Sequence, residues 1–281
     1  MTPAPDTAGA WPAPAKLNLM LRVLGRRPDG YHRLQTVFQF LDRGDRLYVS
    51  VRDDGIVARP EGIDEIPPEQ DLIVRAARAL QAYSGCTLGA DIRCDKQLPM
   101  GGGLGGGSSD AATTLHALNH LWGLGLEAST LARLGLSLGA DVPVFVHGHA
   151  AWGEGVGEEL QPIVLPEPWY LVLVPPCQVS TAAVFGDPEL TRDSPPVTIA
   201  DFVAGDARND CLNVVLSRYE EVREAFQWLN RRAHARLTGT GGCVFAALET
   251  RAGAEALLAA APTRYAPFIA RGCNLSPLAA A

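Results

Sequence analysis

The sequence predicts a soluble α+β protein built of two lobes. Runs in which apolar and polar residues alternate, typical of strands, are interspersed with runs of helical period. The 281 residues are enough for two domains or for one large domain, and a hydrophobic content of 47% is ample for a packed core. A proline-rich junction, Pro162 to Pro168, divides the chain and predicts domains at residues 1–161 and 162–281.

The composition argues against several classes of partner. The formal net charge of −7 offers no broad attraction for nucleic acid or an anionic membrane, so any phosphate must be recognised locally. The sequence shows no leader peptide and no apolar run of the ~18 residues that a bilayer span needs. The six cysteines are scattered, without CxxC or zinc-ligand spacing, and are expected to be reduced thiols. We therefore expect a cytoplasmic protein that is monomeric or weakly dimeric.

The first ordered element is predicted to be a strand. Residues 1–15 are rich in Pro and Ala and are expected to be a loose lead-in that becomes ordered near Trp11, with the first strand beginning at Lys16. From Lys16 to Val23 the apolar residues alternate, so Lys16 and Asn18 share the face opposite them. Four segments follow before a glycine-rich loop: a strand near Leu47–Val51, a loop over residues 53–70, a helix over Leu72–Leu80 and a strand over Leu88–Cys94.

Behind the glycine-rich loop the helical period dominates. Ala111, Leu115 and Leu118 fall at helical spacing, with Ser108 or Ser109 as the expected N-cap. A second helix is predicted to end at Gly139, followed by the acid Asp141, a short apolar strand over residues 142–146 and a hairpin over Trp152–Leu160.

The second half is predicted to open with a strand over Trp169–Val174 and a long loop over Val179–Pro196 that contains a short helix at Thr181–Phe185. The remaining predicted elements are a helical region over Asp210–Asn230, a glycine turn entering a strand over Leu237–Phe245, a helix over Ala252–Ala261 and a strand near Phe268.

The glycine-rich loop, residues 98–112, is the strongest functional signal. Between Gly101 and Gly107 six of seven residues are glycine, and the loop joins a predicted strand to a predicted helix. Glycines permit positive φ and let backbone N–H groups approach an anion, so we interpret the loop as a phosphate cradle. So many glycines cost backbone entropy that a tight turn alone does not require.

Two other nucleotide-binding motifs fit this loop poorly. It formally matches the dinucleotide pattern GxGxxG, but it lies far into the chain, and Glu127, at the distance of a ribose-binding acid, falls between two predicted helices. The P-loop pattern needs a lysine where Ser108 stands. We therefore reject both interpretations.

Phosphoryl transfer also needs an oriented nucleophile and positive charge near the transferred group. Lys16, at the start of its strand, and Asp141, after a helix stop, are the candidates. Each one alone is better interpreted as a solvated surface charge. The functional interpretation therefore depends on the set of motifs in which they stand.

Four motifs, taken in order, resemble those of the GHMP small-molecule kinases: Pro14–Leu19, Pro99–Ala112, Gly139–Pro143 and Leu237–Gly242. The likeness extends to residues 30–32, 71–74 and 274–278 and so spans nearly the whole chain. It implies an N-terminal ATP-binding lobe with a left-handed βαβ crossover and a C-terminal, substrate-binding lobe of ferredoxin-like topology. It also implies ATP as the phosphoryl donor, with Mg²⁺ neutralising charge.

Within that family the chain resembles members that phosphorylate the C2 hydroxyl of a methylerythritol carrying a cytidine diphosphate group, in the non-mevalonate isoprenoid route. Homoserine, mevalonate or a sugar stays open as the alternative acceptor. The pair Tyr31–His32, an aromatic face beside a polar edge, argues against these alternatives. A non-catalytic nucleotide-binding protein and a dinucleotide oxidoreductase are rival interpretations from other classes.

The resemblance assigns roles by position. Asp141 matches the catalytic base, and Lys16 matches its partner, whose ammonium would favour the ionised carboxylate and stabilise the forming alkoxide. The positions that match the nucleotide site are Leu72, Lys96, Met100, Gly101, Gly102, Gly103, Leu104, Gly105, Gly106, Gly107, Ser108, Ser109 and Asp110. The positions that match the acceptor site are Asn18, Tyr31, His32, Thr181, Phe185 and Gly239. The metal ligands are left unassigned.

Two positions depart from the family pattern. Asp71 stands where the family often has Asn, which puts an amide contact to adenine in doubt. Asp110 stands where some relatives carry Asn and adds a negative charge at a helix N-terminus, which the helix dipole favours but which could repel phosphate.

Overall fold

The computed structural model describes residues 3–7, 9–60 and 67–280, and confirms an α+β fold. The first lobe begins with two long antiparallel strands, β1 (Trp11–Arg26) and β2 (His32–Arg52), which pair from Trp11–Leu47 to Arg26–His32. The ordering expected near Trp11 is confirmed, but the strand begins at Trp11 rather than at Lys16, because the partner strand extends far enough to pair with β1 from Trp11 onward. The register shifts between Pro14 and Lys16, where a bulge can re-aim a side chain.

A βαβ unit follows at the edge of this sheet. Strand β3 (Val57–Ala58) lies parallel to β4 (Gly89–Asp95), and α1 (Leu72–Ser84) connects them. The predicted loop over residues 53–70 therefore contains a short strand, while its residues 61–66 lie outside the described part of the chain. Strand β4 pairs antiparallel with β2, which joins the unit to the main sheet.

Three helices complete the layer that covers the first lobe: α2 (Gly106–Leu121), α3 (Ala128–Leu136) and α4 (Val142–His147). The prediction of a strand over residues 142–146 is wrong. The run is short and wholly buried against α2 and α3, and such a run cannot be told from a strand by its pattern. Pro143 in the first turn and Gly148 in the left-handed conformation at the C-cap set the ends of this helix.

The second lobe has the predicted ferredoxin-like topology. Its four strands lie in the order β10 (Phe268–Cys273), β7 (Trp169–Leu173), β9 (Val244–Leu248) and β8 (Arg236–Leu237), and every pair adjacent in the sheet is antiparallel. Helical segments connect β7 to β8 and β9 to β10. The elements after α4 are β5 (Ala151–Glu154), β6 (Glu159–Pro162), β7 (Trp169–Leu173), α5 (Thr181–Gly186), α6 (Ile199–Val203), α7 (Leu212–Arg218), α8 (Glu220–Asn230), β8 (Arg236–Leu237), β9 (Val244–Leu248), α9 (Arg251–Ala260), a 3₁₀ turn (Thr263–Tyr265), β10 (Phe268–Cys273) and α10 (Pro277–Ala280).

The helical region predicted over Asp210–Asn230 is two helices. Tyr219 breaks it, with an extended backbone at φ −118° and ψ 101°. The short helix predicted at Thr181–Phe185 is confirmed as α5, and the predicted hairpin is confirmed as β5 and β6.

The core consists of three apolar clusters, and β1 contributes to each. Trp11 packs in the cluster under α1 to α4, Leu17 packs between the two lobes, and Val23 packs against the helices of the second lobe. Strand β10 pairs with β2, so one sheet runs through both lobes. The division at residues 161 and 162 remains a proposal. None of the described helices is long and apolar enough to cross a bilayer.

Candidate active site

A cavity of about 540 Å³ opens where the glycine-rich loop, β1 and the turn before β9 meet. Most of the predicted site residues line it, although they come from distant parts of the chain. They are Lys16, Asn18, Leu72, Lys96, Met100, Gly101, Gly102, Gly103, Gly105, Gly106, Gly107, Ser108, Asp110, Asp141, Thr181, Phe185 and Gly239. Four predicted site residues are not in the lining: Tyr31, His32, Leu104 and Ser109.

The glycine-rich loop leads straight into α2. The N-cap residue is Gly105, with φ 74°, and no side chain caps the helix. The prediction of Ser108 or Ser109 as N-cap is wrong, because the helix begins at Gly106 and both serines lie inside its first turn. Backbone N–H groups of this turn are therefore available to an anion in the cavity.

A second glycine turn, residues 238–242, packs against this loop through backbone atoms. A Cβ on Gly103 would collide with the carbonyl oxygen of Thr238, and Gly103 itself has φ 77°. Cys243 donates its backbone N–H to Gly102 at 3.0 Å, and the Thr238 hydroxyl donates to the Gly103 carbonyl at 3.2 Å. The glycines of both turns thus allow a close approach that fixes the cradle against the second lobe.

Lys16 and Asp141 form an ion pair at the edge of the cradle. The Lys16 Nζ lies 3.1 Å from Asp141 Oδ2; the lysine side chain is 3% exposed and the aspartate side chain 36%. Asp141 is the N-cap residue of α4, but its carboxylate makes no capping hydrogen bond. Its carboxylate therefore remains directed to Lys16 and the open cavity. These two residues, which the sequence separates widely, carry opposite charges at one point of the site.

Asn18 links Lys16 to both lobes. Its Oδ1 accepts a hydrogen bond from Lys16 Nζ, and its Nδ2 donates to Thr36 Oγ1 at 2.9 Å. Its backbone N–H donates to Thr238 Oγ1 at 3.0 Å, in the second glycine turn. Asn209 holds that turn from the other side, donating to the Gly239 carbonyl at 2.8 Å. The Lys16 ammonium is consequently fixed in position before any ligand binds.

A buried group of charges lies under the first turn of α2. Lys96 Nζ contacts Asp45 and lies 2.8 Å from Asp110 Oδ2, while Asp45 also accepts the backbone N–H groups of Gln97 and Leu98 at 2.6 and 2.7 Å. Burial raises the pKa of Asp110 to about 7, against the lowering effect of the Lys96 ammonium. Burial lowers the pKa of Lys96, but the two carboxylates outweigh it and raise that pKa to about 12.

Asp71, the other departure from the family pattern, has both oxygens engaged. Its Oδ1 accepts the Ile73 N–H at 2.8 Å as the N-cap of α1, and its Oδ2 pairs with Arg59. Both side chains are buried and both residues line the cavity. The carboxylate is therefore committed to α1 and to Arg59.

The predicted acceptor residues lie at two places. Thr181 and Phe185, on α5, line the cavity, and the ring of His32 stacks on Phe185 with centroids 4.9 Å apart. Tyr31 lies beside His32 but is 63% exposed. His32 and Phe185 therefore come together, whereas the Tyr31 ring lies outside the cavity lining.

Sequence reasoning missed several residues of this site. Thr36, Arg59 and Asn209 take part in the contacts above but lie in none of the four motifs, whereas Thr238 lies in the Leu237–Gly242 motif without an assigned role. Asp45 precedes the strand predicted near Leu47–Val51, and nothing in its local pattern indicates its pairing with Lys96. No cluster of three or more His, Cys, Asp or Glu side chains that could hold a metal ion exists among the described residues.

Comparison with known proteins matches both lobes to one family. The model of the GHMP kinases N terminal domain matches residues 71–149, and that of the GHMP kinases C terminal matches residues 199–267. The chain is 61% identical over 268 residues, 95% of this chain and 92% of the relative, to 4-diphosphocytidyl-2-C-methyl-D-erythritol kinase of Alkalilimnicola ehrlichii.

Two further proteins agree. The enzyme of the same name from Pseudomonas syringae pv. syringae is 60% identical, covering 95% of both chains. Among solved structures, that of a 4-(cytidine 5'-diphospho)-2C-methyl-D-erythritol kinase superposes with a TM-score of 0.80 at 31% identity, covering 94% of this chain and 98% of that one.

Proposed function

Since the chain belongs to the GHMP kinase family, we propose that it transfers the γ-phosphoryl group of ATP to the C2 hydroxyl of 4-diphosphocytidyl-2-C-methyl-D-erythritol, a step of non-mevalonate isoprenoid biosynthesis. The relatives at 61% and 60% identity carry this name, as does the structure that superposes with a TM-score of 0.80. The single structural observation that carries the chemistry is the Lys16–Asp141 pair, 3.1 Å apart beside the glycine cradle.

In the proposed reaction Asp141 accepts the proton of the C2 hydroxyl as its oxygen attacks the γ-phosphorus, and ADP leaves. The Lys16 ammonium stabilises the negative charge that develops on the attacking oxygen. Because Asn18 and the surrounding strands hold the ammonium in place, little reorganisation is needed when the acceptor binds. Positioning and electrostatics supply most of the catalysis in phosphoryl transfer, and this geometry provides both.

We assign the phosphates of ATP to the cradle from Gly101 to Ser108 and to the N-terminus of α2. Leu72, Lys96 and Met100 line the same cavity and are proposed to surround the nucleoside. The side chains of Leu104 and Ser109 are buried in the protein interior. Their predicted roles are therefore limited to shaping the cradle.

Mg²⁺ fits the chemistry of the donors that face the cradle. Mg²⁺ in such sites takes phosphate oxygens, water and one or two protein oxygens rather than a closed protein cage. The Ser108 hydroxyl, in the first turn of α2, is the oxygen donor of the cradle that would hold it. The ion would neutralise charge on the transferred phosphoryl group.

The acceptor is proposed to bind with its methylerythritol end at Asn18 and Gly239 and its cytosine end at Tyr31, His32, Thr181 and Phe185. We further propose a cytoplasmic protein, monomeric or weakly dimeric. The six cysteines are unpaired, which suits a reducing compartment.

The deciding experiment compares two acceptors. ATP turnover is measured with the cytidine-bearing substrate and with its cytidine-free analogue, methylerythritol phosphate, at equal concentrations. We expect phosphorylation of the first and little of the second. Turnover of mevalonate, homoserine or a sugar in place of the cytidine-bearing substrate would contradict the proposal and favour another acceptor.

A further inference from the structure

Arg192, in the loop after α5, is held by four hydrogen bonds that no motif predicts. Its Nη2 donates to the carbonyls of Phe185 and Asp187 at 2.8 and 2.6 Å, and its Nη1 donates to the Leu190 carbonyl at 3.1 Å. Its Nε donates to His32 Nε2 at 3.2 Å. One guanidinium thus fastens the C-terminal end of α5 to His32, the first residue of β2, which lies 160 residues before Arg192 in the sequence.

The hydrogen bond to His32 fixes the state of the imidazole. Because arginine has donors and no acceptor, His32 Nε2 must accept, and the ring is then neutral with its proton on Nδ1. A protonated imidazole would lose this bond and place two cations together. The same ring is buried and stacks on Phe185 with an interplanar angle of 20°.

Helix α5 is also held at its other end. The Thr181 and Thr240 hydroxyls are hydrogen-bonded at 2.8 Å, which ties α5 to the second glycine turn. Phe185 therefore belongs to a wall of the cavity that is fixed at both ends. Removing the Arg192 guanidinium would break the hydrogen-bonded link between the Phe185 carbonyl, at the end of α5, and His32 on β2.

We propose that Arg192 is a positioning residue for the cytosine end of the acceptor, holding His32 as the neutral Nδ1–H tautomer and Phe185 in the orientation that receives an aromatic base. This inference rests on the proposed function. A wall formed before binding lowers the ordering cost that the acceptor would otherwise meet. The role concerns acceptor binding and leaves the reacting atoms untouched.

The charges around His32 support this assignment. Burial lowers the pKa of His32, and the positive charges of Arg192 and of Arg26, on β1, lower it further. Asp187, an acid that directly follows α5, is engaged by Arg218 and by the Glu189 N–H. As pH falls through the lowered pKa of His32, protonation breaks the bond to Arg192, so acceptor binding should weaken at acid pH.

The test compares Arg192→Gln with Arg251→Gln, an exposed arginine of α9 that pairs with Glu255. Steady-state constants for the cytidine-bearing substrate and for ATP are measured between pH 5.5 and 8.5. We expect R192Q to raise the KM for the acceptor by about tenfold, since the wall is no longer preformed, with kcat and the KM for ATP within about twofold. In R192Q the weakening of acceptor binding at acid pH should be lost, because the bond that protonation of His32 breaks is already absent. R251Q should match the parent protein.

An unchanged acceptor KM, an acceptor KM that still rises at acid pH as in the parent protein, or equal losses in acceptor and ATP binding would overturn the proposal. Arg192→Lys keeps the charge but cannot span the three carbonyls, so it should recover the pH profile more than the KM. Calorimetric binding of cytidine 5'-diphosphate separates this proposal from the proposed function. If the parent protein binds the diphosphate and R192Q binds it about tenfold more weakly, Arg192 has the assigned role even where turnover of the full substrate fails.

Discussion

Lys16 is a buried ammonium beside a carboxylate that remains open to the cavity, and this asymmetry leads to the first prediction. Asp141→Asn keeps the shape of the side chain but removes its negative charge and proton-accepting capacity. We expect kcat to fall by about 10³-fold, in the range of general-base contributions, with the dissociation constant for ATP within about threefold. Quench-flow turnover and fluorescence titration with a nucleotide analogue measure the two quantities. Asp53→Asn, at an exposed position, serves as the control, and full activity in D141N would remove Asp141 from the mechanism.

Asp110 gives a prediction about stability and pH. Burial raises its pKa to about 7 in the folded protein from an ordinary value of 3.8, so between these values the folded state holds a proton that the unfolded state has lost. The free energy of unfolding should therefore decrease as pH rises through this window, and the decrease should be complete above about pH 7.

Asp110→Asn removes this titration while keeping an oxygen that can accept from Lys96. Between pH 5 and 8 we expect the parent protein to lose about 2 kcal/mol of unfolding free energy relative to D110N. Urea unfolding at several pH values, without nucleotide, measures the difference. Parallel stability curves for the two proteins would show that Asp110 ionises alike in the folded and unfolded states.

At the scale of elements, the glycine cradle contains two glycines that both adopt a positive φ but differ in the atoms around them. Gly101 has φ 71° with nothing within 4 Å of an added Cβ, whereas Gly103 has φ 77° and its Cβ would meet the Thr238 carbonyl. Both alanine variants carry the left-handed strain of about 1–3 kcal/mol. Gly103→Ala should cost additional stability and should raise the KM for ATP several-fold more than Gly101→Ala. Equal effects would show that the contact between the two turns is not close in solution.

Helices and strands were predictable from the sequence where the hydrophobic period and the length of a run indicated the same type of element. The alternation from Lys16 to Val23 gave the strand, but its true start at Trp11 depends on a partner strand that lies more than 30 residues away. The run at Val142–Val146 gave the wrong element, because burial on all sides removes the polar residues that would reveal a helical period. Tyr219 interrupts the helical region although no helix-breaking Gly or Pro lies beside it.

The candidate site was predictable where a motif carried it. The glycine loop, Lys16 and Asp141 follow from residue patterns and family resemblance, and the structure brings them to one cavity. Asp45, Arg59 and Arg192 were not predictable, because their roles arise from partners 12 to 160 residues away. Long-range pairing of this kind leaves no local period in the sequence.

At the scale of the whole molecule, the C-terminal segment packs against the first lobe. After β10 the last segment returns to the first lobe: Ala150 donates its N–H to the Asn274 carbonyl at 2.8 Å, and α10 packs on β1. Leu278 of α10 enters the same cluster as Trp11. The first lobe thus needs residues from the end of the sequence to complete its core.

Leu278 and Leu275 test this dependence as a matched pair. Leu278 is 2% exposed and Leu275 39% exposed, three residues apart in the same closing segment. We expect Leu278→Ala to lower the free energy of unfolding by about 2–4 kcal/mol, the cost of a cavity in a packed core, and Leu275→Ala to lower it by less than about 1 kcal/mol. Urea unfolding followed by far-UV circular dichroism and by tryptophan fluorescence measures both variants. Because β1 joins all three clusters, the two probes should report one coincident transition that L278A shifts as a whole. Separate transitions, with only one moved by L278A, would instead show that the two lobes unfold independently and that the closing segment stabilises the first lobe alone.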